Sequence, residues 1–352
     1  MTQFAIAGRA IGAGHSPYVI AELSGNHNGD LSRALALVDA AAEAGADAIK
    51  LQTYTADTMT LDSDRPDFLI TKGPWAGRRM HALYQEAHTP WDWHEALFTR
   101  ARERGLAAFS TPFDATAVEF LKRLDPPAWK IASFELVDFP LIERVARAGG
   151  PIIISTGMAT LAETEAAVRT AREAGCRDLM LLYCVSGYPT PEEEANLLTL
   201  PHLAATFGLP VGLSDHTMGI AVPVAAVTLG AVAIEKHLTL ARADGGPDSG
   251  FSLEPAEFAQ MVREVRAAAA ALGRITYELK PSEAPSRPFR RSLYAVADIA
   301  QGERLTEANV RSIRPAHGLA PKYLPNVLGR RATRPITRGT PLSWALLSPP
   351  EA

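Results

Sequence analysis

YVIAELSGNHNGDLSRALALVDAAAEAGADAIKLQT, residues 18–53, decides the fold. One apolar run, YVIAEL (18–23), opens the stretch and a second, AIKLQT (48–53), closes it. Between them Asp30 caps a stripe of Leu31, Leu35, Val38 and Ala42 and Gly45 stops it, so the segment reads strand, helix, strand. Strands joined through a helix lie parallel in one sheet. The layout recurs, with further runs at 107–112, 128–133, 152–157, 179–184, 211–216 and 233–238. Helical patterns follow Asp114 and Pro140, and others cover 161–175 and 254–273. Eight such units within about 250 residues predict an α/β protein built as a closed (β/α)8 TIM barrel, whose chemistry sits at the carboxyl ends of its strands. There fall Glu22, Lys50, Gln52, Ser110, Lys130, Ser133, Ser155, Ser214, His216, Glu235 and His237. The pattern predicts an enzyme.

A chain of 352 residues, 47% hydrophobic, can bury a large core and exceeds one barrel by a small module. No apolar stretch reaches membrane-spanning length. The first residues, MTQFAIAGRAIGAGHSPYVIAEL, lack a basic region followed by an apolar core and cleavage site, so the expectation is a soluble, cytoplasmic protein. Cys176 and Cys184 form neither a disulfide framework nor a zinc motif; Cys184, ending a strand, reads as a reduced, buried thiol.

One connection is far longer than a usual βα loop. The excursion 54–104 carries Trp75, Tyr84, Trp91 and Trp93, and reads either as a lid over the catalytic mouth or as an extra packing layer. After the barrel, 1–273, the segment 274–288 (RITYELKPSEAPSRP) reads as a linker, and 289–352 as a small β-rich domain. That domain repeats Ile-x-x-Gly-x-x-Leu-Thr/Ser in DIAQGERLT (298–306) and PITRGTPLS (335–343). From 287 to 338, ten Arg and one Lys face three acids, about +8, which leaves about −12 elsewhere in a chain of net charge −4. Nucleic acid is the weakest partner for this basic module, because its arginines are dispersed among turns without a recognition helix or stacking aromatics. Docking on a barrel or facing an anionic ligand suits it better.

Only seven lysines stand against twenty-eight arginines, yet Lys50, Lys130 and Lys236 lie in barrel strands. Compact ammonium groups there suggest carboxylate or phosphate oxygens, with Ser133, Ser155 and Ser214 assisting. The alternative is buried ion pairing with Glu22, Glu135 or Glu235. His216 and His237 end consecutive strands, which lie about 5 Å apart, so both imidazoles can reach one divalent ion. Two imidazoles with oxygen or water ligands suit Mn2+, with Mg2+ or Co2+ as alternatives, better than calcium. GGPDSGF (245–251) adds a flexible loop bearing Asp248.

AELSGNHNGDL, DAIKLQTYTADT, FSTPFD, WKIASFE, IISTGMAT, YPTP, GLSDHTMG, EKHLTL and GGPDSGFSLEP occur in this order. Together they resemble the phosphoenolpyruvate-condensing sialic acid synthase family. SIRPAHGL and the Ile-x-x-Gly repeat resemble its C-terminal antifreeze-like SAF domain, so the likeness covers essentially the whole chain. Within the family, PWAGRRMHALYQEAHTPWDWH (74–94) and HLTLARADGGPDSGFSLEP (237–255) are more similar to members that make pseudaminate than to those that make N-acetylneuraminate.

The resemblance implies condensation of phosphoenolpyruvate with the open-chain aldehyde of an acetamido sugar, releasing phosphate by C–O cleavage. It implies that Lys50, Thr111, Lys130, Ser133, Ser155, Ser186 and Ser214 hold the carboxylate and phosphate, Ser186 standing where some neuraminate synthases carry Asn. Gln52, Glu135, Tyr188, Asp248 and Arg314 would serve the substrates' remaining groups. A metal on His216 and His237 would polarise the aldehyde and present the attacking water, while Glu22 and Glu235 orient that water or move its proton. It also implies a head-to-tail, domain-swapped homodimer in which Arg314 completes the partner's site. Two readings stay open beside it: an idle sugar-binding protein on the same scaffold, and a metal-dependent aldolase that yields no phosphate.

Overall fold

The structure, a computed structural model, describes residues 4–350. These divide into two compact units, with the break between Gly273 and Arg274.

In the larger unit a short antiparallel hairpin, β1 (Phe4–Ile6) and β2 (Arg9–Ile11), precedes eight parallel strands. They are β3 (Tyr18–Glu22), β4 (Ala48–Thr53), β5 (Ala107–Pro112), β6 (Trp129–Ile131), β7 (Ile152–Ser155), β8 (Leu179–Cys184), β9 (Val211–Asp215) and β10 (Ala233–His237). Each pairs with the next and β10 pairs with β3, closing the expected barrel.

Strand alternation builds two apolar layers. Val19, Ala21, Ile49 and Leu51 pack outward in one cluster with helical residues such as Leu37, Val38 and Phe258. Ile20, Ala48, Phe109, Ile153, Met180 and Leu182 point inward in another. Phe4, Ile6 and Ile11 of the hairpin join that inner cluster beside Tyr18, Ala48 and Ala233, the first residues of β3, β4 and β10. The hairpin therefore plugs the amino ends of the strands and leaves the carboxyl ends for chemistry. Gly212 is obligatory inside β9: a Cβ there would stand 2.5 Å from the Ala233 carbonyl oxygen and 2.7 Å from Leu182 Cδ2.

The surrounding helices start where the punctuation says. Asp30 accepts from the Ser32 N–H ahead of Leu31–Glu43, and Asp114 from the Thr116 and Ala117 N–H groups ahead of Ala115–Leu121. Thr160 and Glu163 form a capping box on Leu161–Glu173.

The excursion holds helices Ala56–Met59, Met80–Ala87 and His94–Glu103, and most of its aromatics do pack as a layer. Trp91 lies 4.7 Å from Phe120, Tyr84 5.9 Å from Tyr54 and Trp93 5.4 Å from His27, ring centre to ring centre. Buried His94 bonds through Nε2 to Thr53 Oγ1 at 2.8 Å, and Thr53 Oγ1 lies 2.6 Å from Ser110 Oγ. Ser110 thus turns away from the barrel mouth and helps anchor the excursion, which corrects its placement among the chemical groups.

In the smaller unit β11 (Ser292–Ala295) pairs antiparallel with β12 (Val310–Ile313). The sequence repeat becomes a structural one. Ile299 and Ile336 exchange backbone hydrogen bonds of 2.8 and 2.9 Å, and with Leu305 and Leu342 they are buried in one cluster. Gly302 (φ 81°) and Gly339 (φ 86°) supply the left-handed turn in each copy. The segment 274–289, which contains the expected linker, is exposed apart from half-buried Thr276, and Pro281–Phe289 coils in 3-10 turns.

Candidate active site

Strand register gathers the charged groups at the barrel's carboxyl end. His237 stands opposite Glu22, Glu22 opposite Lys50, and Gln52 opposite Thr111. The four central charges are all buried. Lys50 Nζ lies 2.6 Å from Glu22 Oε2 and 3.5 Å from Glu235 Oε1, and donates to Thr111 Oγ1 at 3.3 Å. Lys130 Nζ lies 4.0 Å from Glu235 Oε1 and donates to Ser155 Oγ at 2.7 Å. The ion pairing is observed, and the carboxylates hold in place the ammonium groups that an anionic ligand would meet.

Burial sets the electrostatics. It pushes the Lys130 ammonium down to about 8, with Glu235 opposing. Burial also opposes charge on Lys50, but Glu22 and Glu235 together outweigh it and hold the ammonium protonated. The Glu135 carboxyl, whose buried Oε2 has no partner, is raised to about 7 by burial. Glu22 is held by donors on one oxygen, the Ser24 N–H at 3.0 Å and Gln52 Nε2 at 3.1 Å. Ser214 Oγ donates to Glu235 Oε1 at 3.1 Å, while Glu235 Oε2 is buried without a hydrogen-bond partner. An orphaned carboxylate oxygen is a ready acceptor for a proton or a water.

Lys236 does not belong to this set. Alternation turns it away from Glu235 and His237, and it donates to Asp215 Oδ2 and to the Thr217 carbonyl. The expectation that three lysines line the mouth is corrected to two.

Beside Lys130 a small cradle opens between β6, β7 and β8. The Gly157 N–H donates to Ser133 Oγ at 3.0 Å. A Cβ on Gly157 would meet Ser186 Oγ at 2.2 Å and Ser133 Oγ at 2.7 Å. Ser133 and Ser186 thus converge on a position kept bare by glycine, in the connection that follows Ser155, the partner of Lys130. Such a set of donors suits a phosphate or carboxylate.

The two histidines lie with ring centres 5.4 Å apart. His216 Nδ1 donates to the Val185 carbonyl at 3.0 Å, and His237 Nδ1 bonds to Ser24 Oγ at 3.1 Å. Neither Nε2 has a hydrogen-bond partner among the described residues. Second-side bonding that leaves Nε2 bare is how imidazole ligands are oriented for a metal. Burial, reinforced by the charges of His216 and Lys50, keeps His237 neutral well below its usual range; on His216 burial is outweighed by contacts to Cys184 and the Val185 carbonyl, which draw it upward. No third His, Cys, Asp or Glu completes a ligand group among the described residues, so a cation here would keep positions for water and substrate oxygen. The residues fit a divalent metal.

Ser24, absent from the sequence reading, joins these parts. It sits at φ 41°, in the left-handed region, with its N–H on Glu22 and its hydroxyl on His237. Asp248 accepts from the Gly25 N–H at 3.1 Å and is raised by burial. Tyr188 lies 4.4 Å from the His216 ring. Arg314 is exposed on the smaller unit.

The profile of the NeuB family matches residues 37–277 and that of the SAF domain residues 290–348. The chain belongs to the NeuB family. This NeuB chain is 46% identical to pseudaminic acid synthase of Campylobacter jejuni over 92% of its length and 95% of the relative's. It is 44% identical to pseudaminic acid synthase of Helicobacter pylori, with 93% and 96% covered. Among solved structures, N-acetylneuraminic acid synthetase of Leptospira borgpetersenii in complex with citrate superposes with a TM-score of 0.72 at 33% identity, covering 81% of this chain and 95% of that one.

Proposed function

We propose that this enzyme condenses phosphoenolpyruvate with 2,4-diacetamido-2,4,6-trideoxy-altrose and water to give pseudaminate and phosphate. The observation that carries this reading is the Lys130 and serine cradle lying in the same barrel mouth as two imidazoles with bare Nε2 atoms. The pseudaminic acid synthases at 44 and 46% identity support the choice of sugar. Legionaminate and N-acetylneuraminate synthesis are the nearest alternatives.

The enol carbon of phosphoenolpyruvate adds to the aldehyde carbon, forming the C–C bond as the carbonyl π pair moves onto oxygen, which takes up a proton, and leaving C2 electron-poor. Water then adds to C2 and loses a proton, and the C2–O bond to phosphate breaks with its electron pair leaving on phosphate as the new hydroxyl gives up its proton and becomes the C2 carbonyl. Lys50, Lys130, Thr111, Ser133, Ser155, Ser186 and Ser214 hold the substrate's two anionic groups. Their charge also stabilises the phosphate as it departs. Glu22, fixed by Ser24 and Gln52, orients the water, and Glu235 takes a proton on its open oxygen. His216 and His237 would hold a divalent cation, Mn2+ in this reading, which when bound would supply Lewis-acid polarisation of the aldehyde oxygen. Gln52, Glu135, Tyr188 and Asp248 contact the sugar.

No helix among the described residues is long and apolar enough to cross a membrane, and the reading carries a cytoplasmic setting. It also carries a homodimer in which exposed Arg314 serves the sugar of the partner copy. Mixing His216→Ala chains with Arg314→Ala chains tests this. Regained activity supports sharing, and demonstrated subunit exchange without recovery contradicts it. The function itself is tested by phosphate release with phosphoenolpyruvate, metal and a panel of acetamido sugars.

A further inference from the structure

One aromatic of the excursion stands apart from the packing layer. Trp75 turns toward the 245–251 loop, where its indole N–H donates to the Pro247 carbonyl at 2.7 Å. Its ring lies 5.5 Å from Tyr188 and 6.1 Å from Phe251, and those two rings lie 5.1 Å apart. Tyr188 in turn lies 4.4 Å from His216, and Phe251 5.0 Å from His237. Three packed rings thus form an aromatic wall that begins at the histidine pair and ends at Trp75. Phe251 is 3% exposed, whereas Trp75 and Tyr188 are half-buried. The one polar atom of Trp75 is already satisfied, so what it offers a ligand is an apolar face.

We propose that Trp75 is a specificity-determining residue, the outer end of an aromatic wall that favours sugars ending in a methyl group and disfavours those ending in hydroxymethyl. The inference rests on the proposed condensation. With the aldehyde end at the histidines, the far end of a six-carbon open chain is directed along Tyr188 and Phe251 toward Trp75. A methyl group there buries apolar surface. A hydroxyl set against the Trp75 and Phe251 faces gives up water, and the indole N–H that could compensate is already bound to the Pro247 carbonyl.

The test compares kcat/KM for 2,4-diacetamido-2,4,6-trideoxy-altrose with that for the same sugar bearing a 6-hydroxyl. The wild-type protein should favour the 6-deoxy sugar by about tenfold or more, and Trp75→Ala should narrow the ratio to about twofold. The change should appear mainly in the KM of the sugar, with the KM of phosphoenolpyruvate unmoved. Trp75→Phe keeps a ring but loses the bond to Pro247 and should keep most of the preference. Should Trp75→Ala lose its hold on phosphoenolpyruvate, Trp75→Gln, polar and closer in bulk, is judged by the same ratio. A wild-type ratio in the Ala or Gln variant overturns the proposal. So does a Phe variant as unselective as the Ala variant, because the tryptophan then acts only as a latch. Failure of the wild-type protein to use either sugar is distinguishable from both, since it refutes the proposed activity and this inference with it.

Discussion

Lys130 is the residue whose chemistry is most exposed to test. Burial lowers its ammonium to about 8 before any anion arrives, so a bound carboxylate or phosphate should draw it back to full charge. Phosphoenolpyruvate binding at about pH 8.5 should therefore take up protons, read as a dependence of calorimetric enthalpy on the buffer's ionisation heat. Lys130→Met should abolish that uptake and lower kcat/KM by roughly 2 to 5 kcal/mol. An unchanged uptake would remove Lys130 from the anion site. The same shifts act on stability with opposite signs. Between about 8 and the ordinary lysine value of 10.5 the unfolded chain binds more protons at Lys130, so its contribution to stability improves as pH rises through that window. Glu135 does the reverse: between 4.5 and about 7 the folded chain holds the extra proton, and stability falls as pH rises. Glu135→Gln should flatten the acid-side slope of the melting temperature, and an unaltered slope would show that Glu135 titrates normally. At Gly157, an added methyl intrudes on the hydroxyls of Ser133 and Ser186. Gly157→Ala should raise the KM for phosphoenolpyruvate with only a modest drop in melting temperature, because those hydroxyls can swing aside while Ser133 Cβ, 3.0 Å from the added methyl, must give slightly.

Gly212 shows how the elements hold the site. The β8 and β10 neighbours of this β9 residue leave no room for a Cβ, and the obstruction on one side is the backbone carbonyl of Ala233, which cannot swing away. Gly212→Ala should cost about 1–3 kcal/mol, seen as a lower melting temperature; full stability would mean that β9 and β10 separate easily. All eight strands were legible in the sequence because each is an apolar run broken by polar residues and set off by capped helices. Which way a polar side chain faces was legible less well. Being near a strand end placed Ser110 and Lys236 with the chemical groups, yet a period of two turns each to the opposite face from its neighbours Thr111 and His237. The hairpin Phe4–Ile6 and Arg9–Ile11 escaped notice since three-residue strands carry no measurable period. Ser24 and Gly157 gave no signal of their own, for their roles come from backbone N–H groups and from the absence of a side chain. The Ile-x-x-Gly repeat was visible, but only the backbone pairing of Ile299 with Ile336 explains it.

At the scale of the whole molecule, the larger unit owes its fold to the inner and outer apolar layers, with the imidazoles placed on strands that those layers already hold. Chelation should accordingly abolish activity, with Mn2+ restoring it, while the unfolding midpoint moves only by ligand linkage. Full activity of a His216→Ala, His237→Ala variant after exhaustive chelation would sink the metal assignment. The central claim is the condensation, and one measurement meets it directly. The protein, Mn2+, phosphoenolpyruvate and 2,4-diacetamido-2,4,6-trideoxy-altrose are incubated together, with phosphate and product quantified in the same sample. The account predicts one phosphate for each pseudaminate formed, and a higher kcat/KM than with N-acetylmannosamine. A C–C bonded product without phosphate, or equal or better use of N-acetylmannosamine, would contradict it.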